Sequence, residues 1–185
     1  MPHWRKVMES WLEFVIGTLP TARSERRFAT VLFTDIVGST ERAREVGDEA
    51  WRLVLESHDR IAWKTIEGHQ GSVVKSTGDG LLVTFGVPSD AVACAAALRR
   101  ELACIGVAIR GGLHAGEIAM RDDGDVSGLA VNLAARVAQA AQGSSIYVSS
   151  TVHDLLLGGD QTFADCGERA LKGIDGSWRL YQLSE

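Results

Sequence analysis

Two aspartates stand where apolar, strand-like runs of the sequence end. Asp35 follows the run 28–34, and a Gly-Ser-Thr sequence at residues 38–40 then leads into a long helical pattern. Asp79 lies in a turn between two further apolar runs. Magnesium favours one or two carboxylates together with substrate phosphates, and helix N-termini present free N–H groups to anions. These features suit a Mg²⁺ ion and a phosphate chain, although each aspartate alone also suits a helix cap or a turn.

The composition is that of a soluble globular protein, and it excludes several classes. The 185 residues are 45% hydrophobic and 23% charged, with a net charge of −5, so no basic footprint indicates nucleic acid as a partner. The three cysteines lack C-x-x-C spacing, which favours reduced core residues of a cytoplasmic protein over a disulfide set or a zinc site. No apolar run reaches the ~18–20 residues that a membrane span requires. The sequence therefore predicts a cytoplasmic protein.

The sequence divides into a short extension, residues 1–27, and one domain, residues 28–185. Residues 4–19 place large apolar side chains, including two tryptophans, at helical spacing. This pattern predicts a short amphipathic helix followed by a polar linker. The helix would pack either on its own domain or on a dimer partner or regulatory domain.

The order of predicted elements in the domain is β-α-β-β-α-β, followed by an extension. This order is typical of an α+β fold, with a ferredoxin-like core and an antiparallel-rich sheet. Helices are expected on one face of that sheet, which leaves the other face or an edge free for a partner. The predicted elements are strand 28–34, helix 39–66, a hairpin from Val73 with second arm 81–85, helix 88–103, strand 107–114, helix 129–141, strand 145–148, helix 150–157, and strands near 162–171 and 177–183.

Six separated motifs carry a resemblance to one family. They are Phe33-Thr-Asp-Ile-Val-Gly-Ser-Thr40, Lys75-Ser-Thr-Gly-Asp79-Gly80, Arg110-Gly-Gly-Leu-His-Ala-Gly116, Asp125-Val-Ser-Gly128, Asn132-Leu-Ala-Ala-Arg136 and Leu171-Lys172-Gly173. In this order and spacing the chain resembles the catalytic domain of the class III nucleotidyl cyclases, over roughly residues 28–183. The resemblance implies the ferredoxin-like core that the element order also predicts.

The resemblance gives the two aspartates a role in metal binding. Asp35 and Asp79 correspond to the family's metal-binding aspartates, joined by the backbone carbonyl of Ile36. The implied cofactors are two Mg²⁺ or Mn²⁺ ions per site, which neutralise the triphosphate. The metals also acidify the ribose 3′-hydroxyl for its attack on the α-phosphorus.

The resemblance also implies which groups would bind the phosphates. Backbone N–H groups around Gly38, Ser39 and Thr40 would hold terminal phosphate oxygens. Arg110 and Lys172 match the family's phosphate-binding cations, and arginine can bind such oxygens bidentately. Without the resemblance, Arg110 would be read as an exposed strand residue and Lys172 as a solvated turn residue.

Asn132 and Arg136 are four residues apart in a helical pattern, so they are expected to share one helix face. In the family, the asparagine orients the ribose and the arginine stabilises the charge that develops on the pentavalent phosphorus. The alternative is an ordinary polar pair on a helix surface. His114, inside the strand motif, is expected to be structural.

Lys75 and Asp125 match the positions at which the family selects the base. Adenine presents an acceptor at N1 and a donor at N6, and a lysine can only donate while an ionised aspartate can only accept. Guanine reverses this pattern, and guanylate cyclases of the family carry a glutamate and usually a cysteine here. The alignment at Asp125 leaves Asp122 and Asp123 open as alternatives.

The sequence is thus interpreted as an adenylate cyclase that converts ATP to 3′,5′-cyclic AMP and pyrophosphate. The resemblance implies a head-to-tail homodimer with two shared active sites. The alternatives are a nucleotide-binding regulatory module that has lost turnover, or a guanylate cyclase. A palm-type diguanylate cyclase would need a Gly-Gly-Asp/Glu-Glu-Phe turn at the hairpin, where this chain has Ser76-Thr-Gly-Asp-Gly80.

Overall fold

The computed structural model describes residues 25–184, and the predicted N-terminal helix lies outside these residues. The described part contains one eight-stranded sheet and five helices. In chain order the elements are β1 (Glu25–Ile36), α1 (Ser39–Val46), α2 (Asp48–Gly68), β2 (Ser72–Ser76), β3 (Gly80–Phe85), α3 (Pro88–Ala103), β4 (Ile109–Met120), β5 (Val126–Ser127), α4 (Leu129–Ala140), β6 (Ile146–Ser149), α5 (Ser150–Leu155), β7 (Phe163–Ala170) and β8 (Ser177–Leu183).

The strand order confirms the predicted ferredoxin-like core. The sheet runs β2-β3-β1-β4-β6-β8-β7, with β5 added on β4. The pairs β2–β3, β3–β1 and β1–β4 are antiparallel, and β1 lies between β3 and β4. β6 joins β4 in parallel, and β8 and β7 complete the C-terminal extension. The apolar run of β1 is buried on both faces, which explains its central place in the sheet.

Helices cover both faces of the sheet, so the expectation of helices on one face was wrong. Side chains of α2 and α3 pack in the largest core cluster with Leu32, Val83 and Leu113. α4 packs on the other face, in the clusters that include Val31 and Leu180. α4 can approach β4 closely because small residues line both elements. The face expected to be free is therefore occupied by the helix that carries Asn132 and Arg136.

The helix predicted over residues 39–66 is two helices. Gly47 separates α1 from α2 with φ 83° and ψ 162°, a conformation that favours glycine. No residue of α1 is buried, whereas α2 buries side chains such as Ala62 and Ile66. The Arg42 side chain donates a hydrogen bond of 2.8 Å to the carbonyl of Gly106 and fastens α1 to the domain.

β4 extends to Met120, six residues beyond the predicted strand end, and it starts two residues later than expected. Its second half pairs with the start of β1, so that Glu25 lies opposite Met120 and Phe28 opposite Glu117. Residues 115–120 of β4 are rich in alanine and glycine, which favour strands weakly, and β1 likewise begins in the predicted linker. The ladder between β1 and β4 therefore extends over the whole length of both strands.

The contact between α4 and β4 yields a stability prediction at Gly112. A methyl group there would lie 2.0 Å from the amide nitrogen of Ala138, which is backbone and cannot move aside. Gly112→Ala should lower the free energy of unfolding by about 3 kcal/mol or more, as overpacking of a rigid contact does. The measurement is urea unfolding followed by circular dichroism.

Gly86→Ala is the matched control for Gly112→Ala. Nothing lies within 4 Å of a methyl group at Gly86, and no positive φ strains that substitution. The urea-unfolding midpoint of Gly86→Ala should stay close to that of the wild type. Equal midpoints for the two variants would contradict the close α4–β4 contact.

Candidate active site

The register of β1 and β4 places Asp35 directly opposite Arg110. The two side chains lie on the same face of the sheet, and Arg110 Nε donates a hydrogen bond of 2.9 Å to Asp35 Oδ2, to which Nη2 also donates. About a third of each side chain is exposed, at 34% for Asp35 and 40% for Arg110. The predicted phosphate-binding arginine therefore contacts a predicted metal-binding aspartate within one chain.

A backbone contact brings Asp79 to the same end of the sheet. Gly80 pairs with Asp35, and the Ile36 N–H donates to the Asp79 carbonyl at 3.1 Å. A methyl group at Gly80 would lie 2.2 Å from the Thr34 carbonyl oxygen, so the close approach requires glycine here. The β2–β3 turn thus lies against the end of β1 and gathers the two aspartates and the Ile36 backbone.

Two clefts flank the β2–β3 turn. The first, here the α1 cleft, has a volume of about 490 Å³ and is lined by Ser39, Thr40, Ala43, Arg44, Asp48, Trp51, Leu55, Gly78 and Asp79. The second, here the α4 cleft, has a volume of about 250 Å³ and is lined by Phe33, Thr34, Asp35, Thr77, Arg110, Ala135, Ala138 and Gln139. The two aspartates therefore line different clefts, Asp79 the α1 cleft and Asp35 the α4 cleft.

The start of α1 has the geometry expected of a phosphate-binding terminus. Gly38 precedes the helix in the left-handed conformation, with φ 67° and ψ 28°, and its carbonyl accepts the first intrahelical bond, from Arg42 N. No side chain caps this terminus, so Asp35 is not a helix cap. Ser39 and Thr40 line the α1 cleft, and their N–H groups precede the first donor of the helix.

Lys75 and Asp125 contact each other although they are 50 residues apart in sequence. Lys75 Nζ, on β2, donates to both carboxylate oxygens of Asp125, at 2.8 and 2.9 Å. Asp125 precedes β5, and Asp123 accepts a hydrogen bond from its backbone N–H within the turn. The hydrogen bond from Lys75, helped by one from the Val126 N–H, holds the pKa of Asp125 below its usual range. Of the three candidates Asp122, Asp123 and Asp125, Asp125 is the aspartate whose side chain accepts hydrogen bonds from Lys75.

α4 carries Asn132 and Arg136 on its less buried side. Asn132 is exposed, and Arg136 Nη1 donates a hydrogen bond of 2.7 Å to Gln139 Oε1. Gln139 in turn borders the α4 cleft beside Asp35. Within residues 25–184, no hydrogen bond joins Asn132 or Arg136 to either aspartate of the predicted metal site.

Lys172 lies far from the two predicted metal-binding aspartates within one chain. It is exposed in the β7–β8 turn, and three strands separate β7 from β1. The sheet register aligns Phe33, beside Asp35, with Ala164 at the start of β7, while Lys172 follows the end of that strand. The part of β7 from Ala164 to its end at Ala170 is about 20 Å long at the usual rise per residue, and Lys172 lies beyond it.

His114 lies beneath α4 and agrees with the expected structural role. It is 6% exposed, and Nδ1 shares a hydrogen bond of 2.8 Å with Ser149 Oγ. Burial lowers the pKa of the imidazole to about 4, so the ring is neutral at pH 7. Gly112 and Gly116 flank it on the same face and allow α4 to pack over the strand.

The donor set at the aspartates suits a hard divalent cation. Asp35, Asp79 and the Ile36 carbonyl offer oxygen ligands only, as Mg²⁺ and Mn²⁺ prefer. The part of the chain that the structure describes contains no group of three or more His, Cys, Asp or Glu side chains that could hold a metal. Two carboxylates alone leave room for the phosphate oxygens and waters that complete such a site.

Sequence reasoning missed two polar residues that border the clefts. Arg44 lines the α1 cleft, and Gln139 lines the α4 cleft and contacts Arg136. A sequence signal existed for each, since Arg44 follows Thr40 by four residues and Gln139 follows Arg136 by three. Neither residue falls within the six motifs.

Comparison with known proteins decides the family. The family model described as the adenylate and guanylate cyclase catalytic domain matches residues 22–185. The chain belongs to the class III nucleotidyl cyclases. It is similar to a Rhizobium meliloti protein provisionally named adenylate cyclase 3, with 34% identity over 160 residues. That match covers 81% of this chain and 27% of the relative, so the chain spans about a quarter of the relative's length.

Solved structures of cyclases of both base specificities share the fold. The adenylyl cyclase CyaB from P. aeruginosa is 26% identical with a TM-score of 0.82, and the match covers 87% of this chain and 95% of that one. The guanylyl cyclase Cya2 is 25% identical with a TM-score of 0.72, and the match covers 86% and 93% of the two chains. This cyclase domain is therefore similar to enzymes for either purine. In residues 25–184, no helix is long and apolar enough to cross a membrane.

The Lys75–Asp125 contact leads to a pH prediction. Lys75→Met should raise the pKa of Asp125 towards its usual value, because the strongest interaction with the charged carboxylate is lost. An aspartate with a lowered pKa stabilises the fold above about pH 4, and that contribution disappears as the pH falls through the lowered pKa. NMR titration of the side-chain carboxyl carbon measures the shift.

Lys64→Met, an exposed lysine on α2, is the matched control for this titration. It should leave the pKa of Asp125 unchanged. An Asp125 titration that is identical in wild type and Lys75→Met would show that the two side chains do not interact in solution.

Proposed function

We propose that this cyclase domain is an adenylate cyclase, which converts ATP to 3′,5′-cyclic AMP and pyrophosphate. The observation that carries the proposal is the contact between Lys75 and Asp125. Lys75 supplies donors for adenine N1, and the ionised Asp125 supplies an acceptor for the N6 amino group. Guanine would present its N1–H to the lysine and its O6 to the carboxylate, which leaves both partners mismatched.

The proposal assigns the phosphate end of ATP to the region around the β2–β3 turn. Asp35, Asp79 and the Ile36 carbonyl would hold two Mg²⁺ or Mn²⁺ ions, which would neutralise the triphosphate and acidify the ribose 3′-hydroxyl when bound. Arg110 pairs with Asp35 in the nucleotide-free chain. On binding, Arg110 would exchange this carboxylate for phosphate oxygens, which it can contact bidentately.

The reaction requires one bond to form and one to break at the α-phosphorus. The ribose O3′ bonds to the α-phosphorus, the bond to the bridging α–β oxygen breaks, and pyrophosphate leaves with that electron pair. The 3′-hydroxyl proton passes to solvent or to a phosphate oxygen. Asn132 would hold the ribose in position, and Arg136 would stabilise the negative charge on the pentavalent phosphorus, an interaction typically worth ~2.7–4 kcal/mol.

The separation of the residues within one chain supports a head-to-tail homodimer. Asp35 and Asp79 lie together at one end of the sheet, whereas Lys172 follows the end of β7, the strand at the far edge. A two-fold axis would let one chain supply the metal-binding residues and the other supply Lys75, Asp125, Asn132, Arg136 and Lys172. Each dimer would then have two equivalent active sites.

Two other functions make different predictions. A nucleotide-binding regulatory module would bind ATP without turnover, although such a module has no need of both Asn132 and Arg136. A guanylate cyclase would use GTP, and the similarity to the guanylyl cyclase Cya2 makes this the nearer rival. Incubation of the purified chain with Mn²⁺ and ATP or GTP, with chromatography of the products, separates the three.

Base selection is expected to depend on Lys75 and Asp125. The double substitution Lys75→Glu and Asp125→Cys reverses donor and acceptor at the base edge, so kcat/KM for ATP should fall by at least about 100-fold. GTP cyclisation should rise relative to ATP, without a complete switch. Steady-state kinetics with both nucleotides provide the measurement.

The same kinetics on Asp125→Ala test the acceptor separately. A large loss with ATP is expected, whereas Asp122→Ala, in the same exposed turn, should retain wild-type kinetics. Unchanged ATP kinetics in Asp125→Ala would contradict the proposed contact with adenine N6.

A further inference from the structure

The α1 cleft contains a cation that none of the roles described above uses. Arg44 lies on α1 and borders this cleft together with Ser39, Thr40 and Asp79. These last three are the groups proposed to bind the terminal phosphates and a metal ion. The cleft is therefore continuous with the proposed phosphate end of the active site.

Helix geometry directs the Arg44 side chain towards the start of α1. Arg44 follows Thr40 by four residues, so the two lie on one face of the helix. Side chains on an α-helix lean towards its N-terminus, so an arginine at position 44 covers the turn that contains Thr40. The guanidinium can thus reach an anion held at the free N–H groups of Ser39 and Thr40.

Arg44 also has its charge available. Arginines 26, 27, 52, 110 and 179 each form an ion pair with a carboxylate. Arg42, two residues before Arg44, is bonded to the Gly106 carbonyl instead. Among residues 25–184, no carboxylate lies within ion-pair distance of Arg44, although Asp48 borders the same cleft.

We propose that Arg44 binds the terminal phosphate of the nucleoside triphosphate, and later the same phosphate of the pyrophosphate product. It would do so in the chain that supplies Asp79, since both residues line one cleft. The inference rests on the proposed function for the substrate class, a triphosphate. Asp48 borders the same cleft and would repel the bound phosphate, whereas Arg44 would attract it.

A purely structural role for Arg44 is the alternative, and it makes a different prediction. Arg44 and Asp48 are four residues apart, which would allow a solvent-exposed ion pair across Gly47. If that pair mattered, loss of either charge would have the same effect. In the phosphate role, Arg44→Gln weakens phosphate binding, whereas Asp48→Asn strengthens it.

The test compares ligands with and without the third phosphate. α,β-Methylene-ATP and α,β-methylene-ADP both resist cyclisation, so calorimetric titration gives their dissociation constants without turnover. In Arg44→Gln, the affinity for the ATP analogue should fall by about tenfold while that for the ADP analogue changes by less than about twofold. Arg60→Gln, an exposed arginine on α2 outside both clefts, removes the same charge and should change neither affinity.

Inorganic tripolyphosphate makes the test independent of the base. Arg44→Gln should weaken its binding by about tenfold and Asp48→Asn should tighten it by about twofold. Equal losses in the two variants, or no change in Arg44→Gln, would overturn the role of Arg44. Suppose that the wild-type chain binds tripolyphosphate but neither adenine analogue. This result would contradict the proposed function. The phosphate role of Arg44 would still be supported if Arg44→Gln weakened the binding of tripolyphosphate. Thermal midpoints within about 2 °C of wild type show that the variants remain folded.

Discussion

The antiparallel register of β1 with its two neighbours is the constraint on which the site depends. It places Asp35 opposite Arg110 on one side and opposite Gly80 on the other. A slip of one residue would turn Asp35 to the other face of the sheet and move its alternating apolar neighbours with it. The burial of β1 on both faces makes such a slip costly, so the core that stabilises the fold also fixes the position of the carboxylates.

Sequence patterns predicted most of the elements because their apolar periodicity is strong. The strand order followed from the β-α-β-β-α-β arrangement, and the apolar runs around Asp35, Asp79 and Lys75 were enough to place these residues on strands or turns. The break at Gly47 was missed because a single glycine is tolerated within a helical pattern, and only its positive φ in the structure separates the two helices. The second half of β4 was missed because its alanine and glycine residues favour strands weakly and gain strand structure from pairing with β1. A local backbone conformation decided the first of these, and a long-range strand pairing decided the second.

Within the site, the sequence could identify residue types but not their partners. The contact of Lys75 with Asp125 spans 50 residues and depends on how the sheet brings β2 and β5 together. The pairing of Arg110 with Asp35 likewise follows from sheet register. In the proposed function, one chain holds two incomplete sets of residues, one around the aspartates and one around Lys75 and α4. The proposed dimer joins a set from each chain.

Mixing two inactive variants tests this central claim most directly. Asp35→Ala and Arg136→Ala should each be inactive as homodimers, since every site carries a lesion. In a mixed dimer one site collects both lesions and the other collects none. Random exchange makes half of the dimers mixed, so cyclic AMP formation per total protein should recover to about a quarter of wild type. No recovery, with exchange verified by pull-down of a tagged chain, would place each active site within one chain and contradict the shared-site account.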